Sequence, residues 1–110
     1  MDDSLRICVR EDFSDSPGAR YKKDGPYSGE QFYEELLLPK YKEAREKNLK
    51  LVIDLDGVWG YPSSFVSGSF GRLSIAYGAK EVLDTIRFLS EESSTREERI
   101  KMEVLKPERK

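Results

Sequence analysis

An apolar run, Leu49, Leu51, Val52 and Ile53, ends at two aspartates, Asp54 and Asp56, and then at Gly57 and Gly60. This stretch constrains the fold more than any other. A short continuous apolar run suits a strand buried on both faces. Pro62, Ser63 and Ser64 follow, and they open a helical pattern. The spacing predicts a strand whose carboxyl end feeds a helix amino terminus. In an α/β sheet, that is where ligands and partners are met.

The 110 residues suffice for one modest core but not two, so a single domain is expected, with its core over about 5–105 and a frayed tail at 106–110. The composition is 37% hydrophobic and 36% charged with a net charge of −2, which speaks against a general binder of phosphate backbones. Lys22-Lys23, the stretch from Lys40 to Lys50 and the carboxyl terminus are basic but interspersed with glutamate, and read as solvated faces. Nucleic acid is therefore not expected as a partner. No apolar run approaches a membrane span, and the start Met1-Asp2-Asp3-Ser4 is unlike a signal peptide, so a cytoplasmic location is expected.

Cys8 is the only cysteine, and Ile7 and Val9 flank it, the setting of a buried structural thiol. Histidine is absent, which removes the histidine-based triads and the usual zinc sites. No cofactor and no metal are expected.

Leu5 to Arg10 alternates apolar and polar residues and reads as a first strand. Ala19 to Lys22 can supply a second. Ser28 with Gln31 matches a capping box, opening a helix with Phe32, Tyr33, Leu36 and Leu37 inward. Pro39 predicts a break near Leu38, with a second helical piece carrying Tyr41 and Ala44 to about Lys47. Beyond the central strand, Val66, Phe70, Leu73 and Tyr77 recur at helical spacing, with Gly78 as C-cap. Ser64, Gly68, Gly71 and Ile75 share a neighbouring face whose small residues permit close approach. Val82 to Leu89 reads as a final strand. Ser94-Thr95-Arg96-Glu97 matches another capping box, opening a helix to about Leu105, although Ile100, Met102 and Val104 also fit strand alternation. The fold class is α/β: a small mixed sheet of about four strands with helices packed against it.

Two resemblances bear on the central stretch. Asp54-Leu55-Asp56-Gly57-Val58 resembles the first motif of haloacid-dehalogenase-type phosphatases, in which one aspartate attacks phosphorus, the other is the acid/base, and magnesium lies between them. That family also needs a later lysine and an acidic pair, for which Lys80 and Glu91-Glu92 are the candidates. The alternative structural role of Asp54 and Asp56 is to receive backbone amides at the strand end.

The strand, the loop and the serine pair at a helix mouth resemble the STAS fold of anti-sigma-factor antagonists, where a serine at this terminus is phosphorylated by a partner kinase. Ser63 falls at that position with Ser64 beside it. The resemblance is closer to the STAS-like family of small bacterial proteins. It rests on Asp12-Phe13-Ser14 with Pro17-Gly18, Ser28-Gly29-Glu30 with Phe32, Leu37, Asp54 to Val58, and Ser64-Phe65 with Ser69-Phe70-Gly71-Arg72-Leu73, over about residues 5–100. It implies a non-enzymatic regulatory protein–protein interaction module with a histidine-kinase-like ATPase as partner. The expected partner contacts are Trp59, Tyr61, Ser63, Ser64, Ser67 and Arg72, switched at Ser63 or Ser64. A plainer reading makes either serine an N-cap only and Trp59 with Tyr61 a lid over the core. A constitutive small subunit of a larger assembly is a further alternative. Self-association is left open.

Overall fold

The computed structural model describes residues 4–107; residues 1–3 of the polar start and 108–110 of the expected tail lie outside the described residues. Strand β1 (Leu5–Cys8) runs into a one-turn helix α1 (Val9–Asp12). A loop with a 3-10 turn at Lys22–Asp24 leads to a long helix α2 over 29–47. Strand β2 (Leu51–Asp54) follows, then helix α3 over 63–77 and helix α4 (Ala79–Thr85). Strand β3 (Ile86–Leu89) and helix α5 (Ser94–Leu105) complete the described chain.

The sheet among the described residues has three strands in the order β1-β2-β3, all parallel, so the expectation of about four strands in a mixed sheet is corrected. Ala19 to Lys22 is not a strand because its polar groups are used elsewhere. The carbonyls of Ala19 and Arg20 accept from the amides of Gly29 and Glu30 at 2.8 and 2.9 Å, and the Lys22 amide donates to the Glu30 carboxylate at 2.9 Å. Those bonds occupy helix-start amides that have no partner within the helix. The first strand ends at Cys8 rather than Arg10, because Asp12 folds back to accept from the Cys8 amide at 2.7 Å. The expected final strand is half helix. Over 79–85, Lys80 pairs with Asp84 one turn on, and only Ile86–Leu89 is extended.

Ser28 caps α2, accepting from the Gln31 amide at 3.0 Å, while the Gln31 side chain reaches back to the Tyr27 amide at 3.1 Å. Pro39 does not break this helix. A π-helical turn, Tyr33–Leu37, lies just ahead of it, and Leu38 keeps helical angles (φ −64°, ψ −47°). A π turn widens the helix where the proline ring would crowd the preceding carbonyl. Helix α3 carries a second π turn, Ser67–Gly71, and there the Ser69 hydroxyl donates to the Phe65 carbonyl at 2.8 Å. Ser93, one residue earlier than expected, caps α5 by accepting from the Arg96 amide. The segment over 94–105 is helical, with Ile100 and Val104 inward.

The helices lie on one face of the sheet. Ile7, Leu51, Ile53, Ile86 and Phe88 point into it and are buried. Phe32 and Phe70 link the two long helices through rings 5.8 Å apart, Phe70 reaches Phe88 on the sheet at 5.5 Å, and Phe13 closes the cluster against Phe32 at 5.1 Å. Cys8 is buried, as its neighbours imply. The small residues of α3 serve internal packing. A Cβ on Gly68 would lie 2.8 Å from the Arg20 carbonyl oxygen, and one on Gly71 would lie 2.7 Å from the Glu103 carboxylate.

Gly29 is tighter still: a Cβ there would lie 2.5 Å from the Phe65 carbonyl oxygen, where only a backbone shift relieves the clash. Gly29→Ala is expected to destabilise the protein by about 2 kcal/mol in urea unfolding, as overpacking does. Gly60→Ala, with nothing within 4 Å of the added carbon, serves as the control and should change stability by less than about 0.5 kcal/mol.

Candidate functional site

All three strands end on the same side, so the loops after β1, β2 and β3 meet there. Asp54 holds that meeting point. Its Oδ1 accepts from the Asp56 amide at 3.0 Å, and its Oδ2 accepts from Arg6 at 3.3 Å and Arg10 at 3.2 Å. Burial pushes the Asp54 carboxyl up, but the Asp56 amide and the two guanidiniums outweigh it and hold the group below the usual aspartate range. Asp56 is equally engaged: its two oxygens accept from the amides of Glu91 and Glu92, both at 3.0 Å, and its carbonyl accepts from Arg10 at 3.0 Å. The Gly57 amide returns a bond to the Glu92 carboxylate. Gly57 has φ +78°, which favours glycine, and a Cβ there would run into the Arg10 side chain.

These contacts assign the aspartate pair the structural role of strand-end acceptors. Lys80 does not join them: it sits on α4, largely exposed, 3.6 Å from Asp84. Glu91 and Glu92 reach Asp56 through their amides. Around the pair lies an open cleft of about 580 Å³, lined by Arg6, Arg10, Asp54, Asp56 and the glutamates.

The loop from Asp56 to Pro62 carries the two aromatic residues, and they have parted roles. Tyr61 is the lid. Its ring packs 6.2 Å from Phe65, its hydroxyl donates to the Leu55 carbonyl at 2.8 Å, and burial pushes that hydroxyl up. Trp59 points outward and is 84% exposed. Its backbone is nonetheless held on both sides, the amide by the Asp15 carbonyl at 2.8 Å and the carbonyl by Arg96 at 3.1 Å. The same Arg96 guanidinium lies 5.7 Å from the Tyr61 ring centroid, a cation–π contact.

The N-cap of α3 is Pro62, with no side-chain bond, so neither Ser63 nor Ser64 caps the helix. Both lie in its first turn. Ser63 is exposed, Ser64 half-buried and Ser67 buried. Ser67 and Arg72 line a different groove, of about 360 Å³, together with Arg20, Tyr21 and Glu30. Arg72 lies 4.6 Å from the centroid of the Tyr33 ring. The expected contact residues therefore divide: Trp59, Tyr61, Ser63 and Ser64 belong to the loop and the helix start, Ser67 and Arg72 to the groove behind it.

The family described as the STAS-like domain of unknown function (DUF4325) matches residues 28–96, from the cap of α2 to the first turn of α5. The chain belongs to that family. No curated protein and no solved structure matches it. The STAS-like match takes in β2, the Trp59 loop and Arg96, and leaves β1 with Arg6 and α1 with Arg10 outside. Those three arginines were not singled out in the sequence, because their partners lie 37 to 48 residues away and no local pattern marks them.

Two outcomes follow from this geometry. Ser63→Ala and Ser64→Ala should each shift stability by less than about 0.5 kcal/mol, whereas Ser28→Ala, which removes a working cap, should cost about 1 kcal/mol in urea unfolding. Because the Asp54 carboxyl is depressed in the fold, its stabilisation is complete above the ordinary aspartate pKa of about 3.9 and is lost as pH falls below it. Asp54→Asn should lower stability at neutral pH by about 2 kcal/mol and flatten the acid limb of thermal melts recorded between pH 7 and about pH 2.

Proposed function

We propose that the chain is a non-enzymatic regulatory interaction module whose docking surface is the loop from Val58 to Pro62 with the exposed start of α3. The observation that carries this reading is Trp59: a large aromatic side chain left in water on a backbone pinned at both its amide and its carbonyl. A rigidly presented aromatic residue loses little entropy on docking, and such residues dominate binding energy at interfaces. The aspartate pair supports the same reading, since amides and guanidiniums already occupy the oxygens a phosphatase would need for attack and acid/base work.

A histidine-kinase-like ATPase is the proposed partner, by analogy with the STAS fold. Ser63 is the proposed switch. It is the exposed serine at the helix start, and the first-turn amides of α3 receive no side-chain cap. A phosphate on Ser63 would meet those amides and add up to about two negative charges beside Trp59.

A tagged pull-down from the native host with ATP present, followed by mass spectrometry of partner and phosphate, tests the proposal. The expected result is an ATPase-fold partner and phosphate on Ser63. Trp59→Ala should weaken that partner by about 30-fold, the loss of about 2 kcal/mol typical of a hot spot, with the thermal midpoint unchanged. A partner retained without phosphate leaves a constitutive adaptor or subunit. Phosphate on Asp54 overturns the module in favour of phosphoryl chemistry.

A further inference from the structure

The central strand is expected to be buried on both faces; on the second face Asp54 is buried, but Val52 is only half-buried. With three parallel strands in sequential order, right-handed crossovers place every connecting helix on the same side of the sheet. The other side carries two rows of side chains in register, Arg6–Val52–Arg87 and Cys8–Asp54–Leu89. Among the described residues no element buries the first row: Arg6 and Arg87 are exposed and Val52 between them is half-buried. Parallel sheets are almost always covered on both faces, and the covering layer is helical. The layer this sheet lacks is therefore a helix.

The charges on the bare face specify that helix. Neighbouring strands lie about 4.8 Å apart, so Arg6 and Arg87 stand about 10 Å from each other across Val52. An α-helix with its side chains is about 10–12 Å wide. A helix laid along β2 would rest its apolar stripe on Val52, reach Leu89 on the neighbouring strand where it passes Asp54, and bring residues on both flanks over the two guanidiniums. Arg87 forms no ion pair with any described residue, and Arg6 has only a 3.3 Å contact with Asp54. Acidic flanks match both. At the strand ends the face meets a rim where Asp54, Asp56, Glu91 and Glu92 outnumber Arg6 and Arg10. A helix dipole is positive at its amino terminus, so that end belongs at the rim. The helix then runs antiparallel to the strands, as the chain's own crossover helices do.

We infer that the open face of the sheet is a second docking surface, whose occupant is an amphipathic helix of a partner protein with Asp or Glu flanking its apolar stripe. It is distinct from the Trp59 loop and does not depend on that loop's function.

The test places a photo-crosslinking residue on the face, Leu89→p-benzoylphenylalanine, in the full chain in its native host, and sequences the crosslinked peptide. The expected adduct is a segment of another protein with apolar residues at i, i+3 and i+4 and acidic residues on both flanks. Its yield should fall about tenfold in an Arg87→Glu background, where like charges meet. Arg87→Glu is chosen because it breaks no described ion pair, and an unchanged circular dichroism melt confirms the fold. An adduct with a second copy of this chain, a peptide without the acidic-flanked pattern, a yield indifferent to Arg87→Glu, or no adduct overturns the inference. Trp59→p-benzoylphenylalanine in a parallel strain separates the two surfaces. An adduct at 59 without one at 89 sinks the sheet-face helix and leaves the loop reading standing, and the converse sinks only the loop.

Discussion

Two carboxylates one residue apart hold the working end of this protein together. A strand that stops at Asp54 leaves three loops to be arranged over a sheet only four residues deep. Asp54 and Asp56 arrange them by accepting from everything nearby: the amide of their own turn, the arginines of β1 and α1, and the two amides at the exit of β3. Each bond is modest in net worth, about 1 kcal/mol, or more where a charge is involved. Together they leave the loop that follows β2 little freedom, and Arg96 from the opposite side completes the brace. The position of every residue between Gly57 and Ser63 follows from this arrangement. The same two residues that invite a catalytic interpretation also brace the loops of the fold.

Features set by neighbours in the chain were legible. The Ser28 cap, the inward stripe of α3 from Val66 to Tyr77, the helix after Ser93 and the buried Cys8 all follow from spacing and composition within one or two turns. Features set by competition for hydrogen bonds were not. Ala19 to Lys22 has the pattern of a strand, and loses it because the start of α2 claims its carbonyls. Pro39 signals a break, and a π turn absorbs it. That turn also shifts the phase of the helix, so apolar positions before and after it do not share one regular period. Val82 to Leu89 carries apolar residues that suit either period, and its first half is the end of a helix begun at Ala79.

The candidate site was legible as a place but not as a mechanism. The strand end, the aspartates and the serine pair marked where to look, and the family match over 28–96 covers that stretch. What each residue does there depends on partners far along the chain. Trp59 and Tyr61 are two positions apart and similar in chemistry, yet one is half-buried against the core and the other is left in water. The Leu55 carbonyl and the Phe65 ring hold Tyr61 inward, while Arg96 from α5 and the carbonyl of Asp15 hold the Trp59 backbone. The open Arg6–Val52–Arg87 row on the second face of the sheet was equally hidden. An apolar strand sequence carries no record of how many layers will cover it, whereas strand order and crossover hand decide it at once.

The chain holds a single tryptophan, and it stands in solvent. Its indole emission in the native state is that of a hydrated ring, and unfolding moves it from water to water. A fluorescence melt would pass over the collapse of the Phe32–Phe65–Phe70 core almost unnoticed. A molecule that covers the Val58 to Pro62 loop would dehydrate the same ring and shift its colour. The protein thus carries a built-in optical probe that is nearly blind to its own folding and sensitive to company.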